Sequence, residues 1–237
     1  MSIFNVINSE AVDPIVEMNG IVNLDVIKIN GIDNLWPNFT GDDFTGVNGD
    51  PPNTRVWTET DANNYLDIQS NKLNYDTGGA AGSQDITTVD SKFVFTGDFD
   101  ITIDLLISTW TGLSGSYTYP LLFYIVDGVT EVGYVGKGIR STTQKVHAGG
   151  GTNQAFTVLT DTTLQNNYRI KRTSGVVVVY VFENSRWEWN GSTSGLQVIN
   201  SNTNDLSVRM KFVTRSGDTL AVNVDDFVIS SGVFTPP

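Results

Sequence analysis

The sequence of 237 residues contains no cysteine, a single histidine and only three methionines. The lack of cysteine excludes disulfide bonds and thiolate metal sites, so the fold must be held together by its core alone. Alanine, glutamate and lysine are also scarce, whereas threonine, valine, asparagine, glycine and aspartate are plentiful. Residues that favour strands and tight turns therefore outnumber good helix formers, and we expect very little helix.

Basic residues are few, and long apolar runs are missing. Lysine and arginine number 14 against 26 aspartates and glutamates, which gives a formal charge of −12. Such a chain repels the phosphates of nucleic acids and anionic lipid headgroups, so we expect neither nucleic acid nor a membrane as a partner. The N-terminal residues show no basic segment followed by an apolar run, and no stretch approaches the ~18 apolar residues of a membrane span. Neither a secretion signal nor a transmembrane segment is expected.

Alternating apolar residues are the clearest structural signal. Every odd position from 99 to 107 is apolar, and the even positions from 206 to 212 show the same pattern. Each pattern indicates a strand with one face in the core and the other towards solvent. Further strands are predicted at 65–69, 92–95, 121–126, 132–135, 155–159, 168–172, 176–182 and 220–229. Many short strands joined by short connections indicate an all-β, antiparallel sandwich of two sheets.

The last predicted strand contains an irregularity. Its apolar residues keep one phase from 220 to 224 and the opposite phase from 227 to 229. One extra residue must therefore be absorbed at Asp225-Asp226 if both sets are to reach the core. A β-bulge at that position would achieve this, and it would redirect one carboxylate.

The order of motifs resembles that of concanavalin A-like lectin and glucanase domains, including LamG-like ones. The motifs are Asp42-Asp43-Phe44, Trp57, Lys72-Leu73, Phe95-Thr-Gly-Asp-Phe99, Asn167-Tyr-Arg-Ile-Lys-Arg172, the hairpin 176–187 and Val224-Asp-Asp-Phe-Val-Ile229. The resemblance covers about Phe39 to Ile229 and implies a jelly-roll sandwich over residues 36–237. This sandwich hosts lectins, glycosidases, adhesion modules and viral structural domains, so the resemblance predicts fold more than function.

Residues 1–35 are predicted to be a separate segment with a short internal repeat. Asn19-Gly-Ile-Val-Asn-Leu24 is followed eleven residues later by Asn30-Gly-Ile-Asp-Asn-Leu35. These units resemble the N-terminal docking arms of tailed-bacteriophage virion proteins. The resemblance implies assembly contacts by Asn19, Gly20, Ile21, Ile29, Asn30, Gly31 and Ile32. The alternative is an extra hairpin folded against the sandwich, because Asn-Gly also forms tight turns.

Catalytic residues are not evident in the sequence. Glycosidases that share the resemblance carry two glutamates with an aspartate between them on one face of a strand. The six glutamates, at 10, 17, 59, 131, 183 and 188, contain no such pair. The histidine, His147, falls in a predicted loop at 136–153, without an evident partner for acid–base chemistry or transition-metal binding. Gly136 and Gly138 are interpreted as turn residues of the same loop. We therefore predict that the chain is not an enzyme.

Two kinds of binding site remain as hypotheses. Sugar rings stack on aromatic side chains. The aromatic candidates are Trp110, Tyr117 and Tyr119, all in a predicted loop at 109–119, and Trp189. Calcium prefers hard oxygen ligands, and the first and last strands are neighbours in many jelly rolls. The calcium candidates are Asp42, Asp43, Asp225 and Asp226, with solvated turn acids as the alternative interpretation.

The leading functional hypothesis is a bacteriophage virion protein. Residues 1–35 would dock on the particle, and the sandwich would project as a decoration, fibre or adhesion domain that binds host glycans. Its partners would be other virion proteins and cell-surface glycans, within a homo-oligomer or a larger assembly. The alternative is a carbohydrate-binding module of a cellular or secreted protein, located outside the cell. A glycoside hydrolase with an atypical acid pair is a third hypothesis.

Overall fold

A computed structural model describes residues 28–29, 32–33, 39–111, 118–140, 143–150 and 157–235. The chain divides into two compact units, residues 1–39 and 40–237. In the first unit, β1 (Lys28–Ile29) pairs antiparallel with β2 (Ile32–Asp33), and Ile29 lies opposite Ile32. Asn19, Gly20, Ile21, Asn30 and Gly31 of the predicted docking segment lie outside the described residues.

The second unit is a sandwich of two antiparallel sheets, and its described residues contain no helix. Its strands are β3 (Gly41–Asp42), β4 (Trp57–Thr60), β5 (Leu66–Ile68), β6 (Leu73–Asp76), β7 (Asp85–Ser91), β8 (Val94–Thr111), β9 (Tyr119–Asp127), β10 (Thr130–Arg140), β11 (Thr143–Gly150), β12 (Thr157–Thr160), β13 (Gln165–Thr173), β14 (Val176–Glu183), β15 (Arg186–Glu188), β16 (Leu196–Ile199), β17 (Ser207–Thr214) and β18 (Thr219–Thr235). The predicted all-β, two-sheet class is confirmed. No helix in the described part of the chain is long and apolar enough to cross a membrane.

Each sheet has a simple strand order. Seven strands form one sheet in the order β12-β11-β10-β9-β17-β7-β4. The other has nine described strands: β15-β14-β13-β8-β18-β6-β5 in order, with β16 beside β14 and β3 beside β18. The long strands β8 and β18 pair with each other at the centre of the nine-stranded sheet. This pairing places the Phe95–Phe99 motif beside the last strand.

The core lies between the sheets, where the alternating residues meet. All odd positions from 99 to 107 on β8 are buried, as are Leu206 and the even positions of β17 up to 212. Aromatic rings join the two layers: Tyr75 of β6 stacks on Phe212 of β17 with centroids 5.1 Å apart, and Trp57 of β4 meets Phe227 of β18 edge-on at 5.2 Å. The period-2 prediction is confirmed for both strands.

The β-bulge predicted on the last strand is also confirmed. Three steps along β18, from Asp225 to Val228, span two steps along β8. Asp226 adopts a positive φ of 47° and is exposed, whereas Phe227 is fully buried. The bulge therefore absorbs one residue and lets both apolar phases of the strand reach the core.

The two predicted loops contain strand instead. Gly136 and Gly138 lie within β10, and His147 lies opposite Gly136 on β11. His147 is only 2% exposed, so it is not a solvated loop residue, and the glycines are not turn residues. Thr109 belongs to β8 and Tyr119 begins β9.

The sequence does not indicate the full length of β10, because its inward-facing and outward-facing positions carry residues that are unusual for a strand. Lys137 occupies a position in the core phase with Val135 and Ile139, and all three are buried. Glycines occupy two positions of the opposite phase. In β10, a lysine therefore interrupts the apolar residues of the inward-facing positions, and glycines replace the polar residues expected at the outward-facing positions.

Candidate functional site

The outer surface of the seven-stranded sheet carries a group of tyrosines. On β9, Leu121, Phe123 and Ile125 are fully buried in the core, which turns the alternate residue Tyr124 to the outer surface. Tyr134 of β10 lies opposite Tyr124 across the ladder. We call Tyr119, Tyr124 and Tyr134 the tyrosine face.

A depression of about 210 Å³ lies on this surface. It is lined by Gln84, Ile86, Tyr119, Leu122, Tyr124, Tyr134, Lys211 and Val213. The rings of Tyr124 and Tyr134 lie 5.0 Å apart with a tilt of 39°, and Lys211 Nζ lies 5.5 Å from the centroid of the Tyr124 ring. An aromatic and aliphatic floor beside a few polar groups is the composition expected of a surface that stacks on sugar rings.

Tyr119 owes its position to a glycine on the adjacent strand. A Cβ atom built on Gly138 would lie 2.4 Å from Cδ1 of Tyr119, far inside van der Waals contact. The other side of the packing comes from His147, whose ring meets that of Tyr119 edge-on at 5.4 Å. Gly138 is therefore required here because Tyr119 occupies the space of its side chain.

A charged network borders the tyrosine face. Lys211 Nζ lies 3.0 and 3.3 Å from the two carboxylate oxygens of Glu131, and Arg209 Nη1 lies 3.0 Å from the first of these oxygens. Arg209 Nε also donates to Asp90, 2.6 Å away. Two cations thus face two carboxylates, and the border has no net charge. A neutral border favours an uncharged ligand over an acidic one.

The phenols of Tyr124 and Tyr134 remain protonated. Burial raises the pKa of Tyr134 to about 12. Burial, followed by the charge of Glu131, raises the pKa of Tyr124 well above its usual range. Both side chains can therefore donate and accept hydrogen bonds at any physiological pH, as recognition of sugar hydroxyls requires.

The structure places the predicted aromatic candidates in different environments. Tyr119 lies on the tyrosine face, but Trp110 and Trp189 are only 8% and 6% exposed. Trp110 lies in β8 opposite Leu220, and Trp189 follows β15 in a bridge to Ser192. Their burial corrects the expectation that these two rings present a face to a sugar. Tyr117 lies outside the described residues.

Sequence reasoning missed Tyr124, Tyr134 and Lys211. Residues 121–126 were predicted as a strand, but its alternate positions Leu122 and Val126 are as apolar as the core positions. The sequence therefore held no signal that Tyr124 faces outwards.

The predicted calcium ligands do not form a cluster. Both carboxylate oxygens of Asp42 already accept hydrogen bonds, from the Trp57 indole at 2.7 Å and from the Phe44 amide at 2.8 Å. Asp225 is ion-paired with Lys72, and Asp43 bonds to the hydroxyl of Thr45 at 3.1 Å. Over the described ranges, no group of three or more histidine, aspartate or glutamate side chains is arranged to hold a metal ion.

These partners correct the expectation that Asp42, Asp43, Asp225 and Asp226 form one ligand set. Asp42 and Asp225 do lie on paired strands, because Asp42 of β3 is opposite Phe227 of β18. The carboxylate of Asp42 joins β3 to the Trp57 ring, and that of Asp225 pairs with Lys72. Asp226 is the exposed residue of the bulge.

Solved structures with the same fold include glycoside hydrolase family proteins. A glycoside hydrolase family protein from Mycobacterium thermorestibile matches with a TM-score of 0.53 and 9% identity over 78% of this chain and 97% of that one. A glycosyl hydrolase family protein from Mycobacterium fortuitum matches with a TM-score of 0.50 and 12% identity over 78% and 97%. A functionally unknown protein from Saccharomyces cerevisiae gives a TM-score of 0.51 and 11% identity over 77% and 97%. No protein-family model and no curated protein matches the sequence.

These neighbours correct the prediction that the chain is not an enzyme. That prediction depended on the absence of a glutamate pair with the spacing of the resembling glycosidases. Proteins named as glycoside hydrolases adopt this same fold across almost their whole length. The missing pair is therefore no ground for excluding catalysis, and the fold is one shared with carbohydrate-related proteins.

Proposed function

We propose that the sandwich binds a neutral polysaccharide on the tyrosine face. The observation that carries the proposal is the pair of half-buried rings of Tyr124 and Tyr134, 5.0 Å apart, in a depression bordered by polar groups. The apolar face of a pyranose stacks on such rings, while phenols and nearby charged groups bond its hydroxyls. The fold shared with glycoside hydrolase family proteins supports a carbohydrate ligand.

The size of the site favours a chain lying across the surface over an enclosed small molecule. Pockets that enclose drug-sized ligands measure roughly 300–1,000 Å³. The depression here is smaller, at about 210 Å³. A polysaccharide can place one or two units in it and extend over the rest of the sheet.

Binding to a panel of insoluble and soluble polysaccharides tests this proposal. We expect the Tyr124→Ala and Tyr134→Ala variants each to weaken binding about tenfold, because loss of one stacking contact costs about 1–1.5 kcal/mol. Tyr180→Ala is the matched control, since Tyr180 is a half-buried tyrosine of β14, in the other sheet. Its binding should be unchanged.

The same reactions should be assayed for release of reducing ends, because the fold hosts glycoside hydrolases. Binding that survives both tyrosine substitutions would refute the assignment of the tyrosine face. A wild-type chain that binds no member of a panel of bacterial, plant and fungal polysaccharides would refute glycan binding itself.

The virion location of this protein is a proposal from sequence alone. It is supported by the resemblance of the repeat in residues 1–35 to bacteriophage docking arms. Deletion of residues 1–35 should then prevent incorporation into particles while the sandwich still folds. A truncated chain that is still incorporated would contradict the docking role. A carbohydrate-binding module of a cellular or secreted protein is the alternative, and it predicts glycan binding without any particle association.

A further inference from the structure

Lys137 is a lysine enclosed in the interior of the sandwich. It lies on the core phase of β10, and its side chain has no exposed surface. Its Nζ atom lies 3.0 Å from Oδ2 of Asp161 and 2.8 Å from the main-chain carbonyl oxygen of the same residue. The Asp161 side chain is 7% exposed. Two opposite charges are therefore held together in a place where burial makes each of them costly.

The two oxygens of Asp161 have different neighbours. Oδ1 accepts hydrogen bonds from the amide and the hydroxyl of Thr163, at 2.8 and 2.7 Å. Oδ2 faces Lys137 and accepts a hydrogen bond from Nδ2 of Asn166 at 2.6 Å. One carboxylate oxygen is thus fixed by two donors of a single residue, while the other is the carboxylate oxygen paired with the amine.

We propose that Lys137 and Asp161 join in an intramolecular amide bond between Nζ and the side-chain carboxyl carbon. The ammonium and the carboxylate react with loss of one water molecule. Nζ forms a bond to Cγ, and the bond from Cγ to Oδ2 breaks. Two of the three protons of the ammonium leave with Oδ2 as water, and the third stays on the amide nitrogen. The positive and negative charges disappear together, so no oxidant or further reactant is needed.

The geometry supplies what this condensation requires. Nζ is held 3.0 Å from Oδ2 of the carboxyl group that it attacks. Two groups fixed so close together gain an effective molarity of about 10⁵–10⁸ M over separate molecules. Negative charge that develops on Oδ1 in the tetrahedral intermediate meets the two donors of Thr163, as in an oxyanion hole. The leaving water forms from Oδ2, the carboxylate oxygen that already contacts the amine.

The buried setting favours the product over the ion pair. The ion pair keeps two charges in the interior, whereas the amide carries none. Burial, only partly opposed by the charge of Asp161, lowers the pKa of Lys137, which brings the neutral nucleophilic amine within reach. Burial of Asp161 acts in the other direction, but hydrogen bonds from Thr163 hold the pKa of its carboxyl below the ordinary value. The reaction accordingly starts from the ion pair: one proton passes from the ammonium to Oδ2, 3.0 Å away, which leaves a neutral amine to attack a neutral carboxyl group.

Mass spectrometry of the intact full-length chain tests the proposal. We expect the wild-type chain to be lighter than its sequence by about 18 Da, the mass of one water. Digestion should yield a branched peptide that contains both Lys137 and Asp161. The Lys137→Arg and Asp161→Ala variants should each restore the sequence mass. A wild-type chain at the sequence mass overturns the proposal without any variant having to fold.

A control variant separates this bond from other losses of water. Lys72 forms an ion pair with Asp225 but is 38% exposed, so the condensation is not favoured there. The Lys72→Arg variant should keep the deficit of about 18 Da. A deficit that persists in Lys137→Arg, such as dehydration at Asp127-Gly128, would overturn the proposal.

Discussion

The buried hydroxyl of Tyr75 gives a quantitative test of the core. Tyr75 is fully buried on β6, and its hydroxyl donates to Oδ2 of Asp85 at 2.9 Å. It also lies 3.1 Å from the hydroxyl of Thr214 on the opposite sheet. The ring of Tyr75 stacks on Phe212 independently of its hydroxyl. Tyr75→Phe therefore removes the polar contacts and leaves the aromatic packing in place.

The expected cost of Tyr75→Phe is about 2 kcal/mol of unfolding free energy. Hydrogen bonds to charged acceptors contribute about 1.5–3 kcal/mol, and Asp85 is buried. The cost stays within that range because Thr87 Oγ1 still donates to the same Asp85 oxygen at 2.9 Å. With a urea m-value of about 3 kcal/mol/M, the midpoint should fall by roughly 0.7 M.

Equilibrium unfolding in urea, followed by tryptophan fluorescence, measures this shift. Tyr180→Phe on β14 is the control, because Tyr180 is half-buried and Arg169 still packs on its ring at 5.3 Å. It should stay within about 0.5 kcal/mol of the wild type. A Tyr75→Phe midpoint equal to that of the control, at an unchanged m-value, would refute the claim that this hydroxyl stabilises Asp85.

Three further predictions concern other buried and strained groups. Arg172 is buried and donates to main-chain carbonyls of residues 95, 97 and 204, so Arg172→Met should cost at least about 3 kcal/mol in thermal unfolding; a cost near zero would show that water replaces it. Burial, and then the charges of Asp226 and Asp225, raise the pKa of Asp104 above its ordinary 3.8, so the folded state binds this proton more tightly than the unfolded state does. Asp104→Asn should therefore stabilise the protein at pH 7, and the gain should shrink once the pH falls below that raised pKa and be gone below the ordinary 3.8; a pH-independent gain would contradict the assignment. Because Asp226 has a φ of 47°, Asp226→Val should cost about 1–2 kcal/mol while Asp226→Gly stays close to the wild type, and equal effects would argue against strain at the bulge.

Sequence reasoning succeeded where a single physical rule decides the structure. On β8 and β17 one face meets the core and the other meets solvent, so alternation of apolar residues identified both strands. The change of phase in β18 predicted the bulge at Asp225-Asp226 because a buried Phe227 leaves no other arrangement. These features need only local pattern and the requirement that apolar side chains be buried.

Sequence reasoning failed where a residue serves an unusual partner. Lys137 looks polar in the sequence, yet it is buried because Asp161 lies beside it, and no local pattern reveals a partner 24 residues away. Gly138 looks like a turn residue, yet it lies in a strand. A glycine is needed at that strand position because the ring of Tyr119 fills the space of a side chain. Trp110 was expected at the surface because the residues after it are polar. Such cases depend on contacts between strands and not on the order of residues along one strand.

The bulge on β18 has a consequence for how this chain can change length during evolution. When a single residue is inserted into or deleted from a regular stretch of a central strand, every side chain after it moves to the opposite face of the sheet. At Asp226 the extra residue is already displaced from the ladder. The strand can therefore lose that one residue at this position without turning the residues after it to the other face of the sheet. Relatives of this protein should therefore differ by single-residue gaps at 225–226, whereas the regular stretches of β8 and β18 should keep their length or change by two.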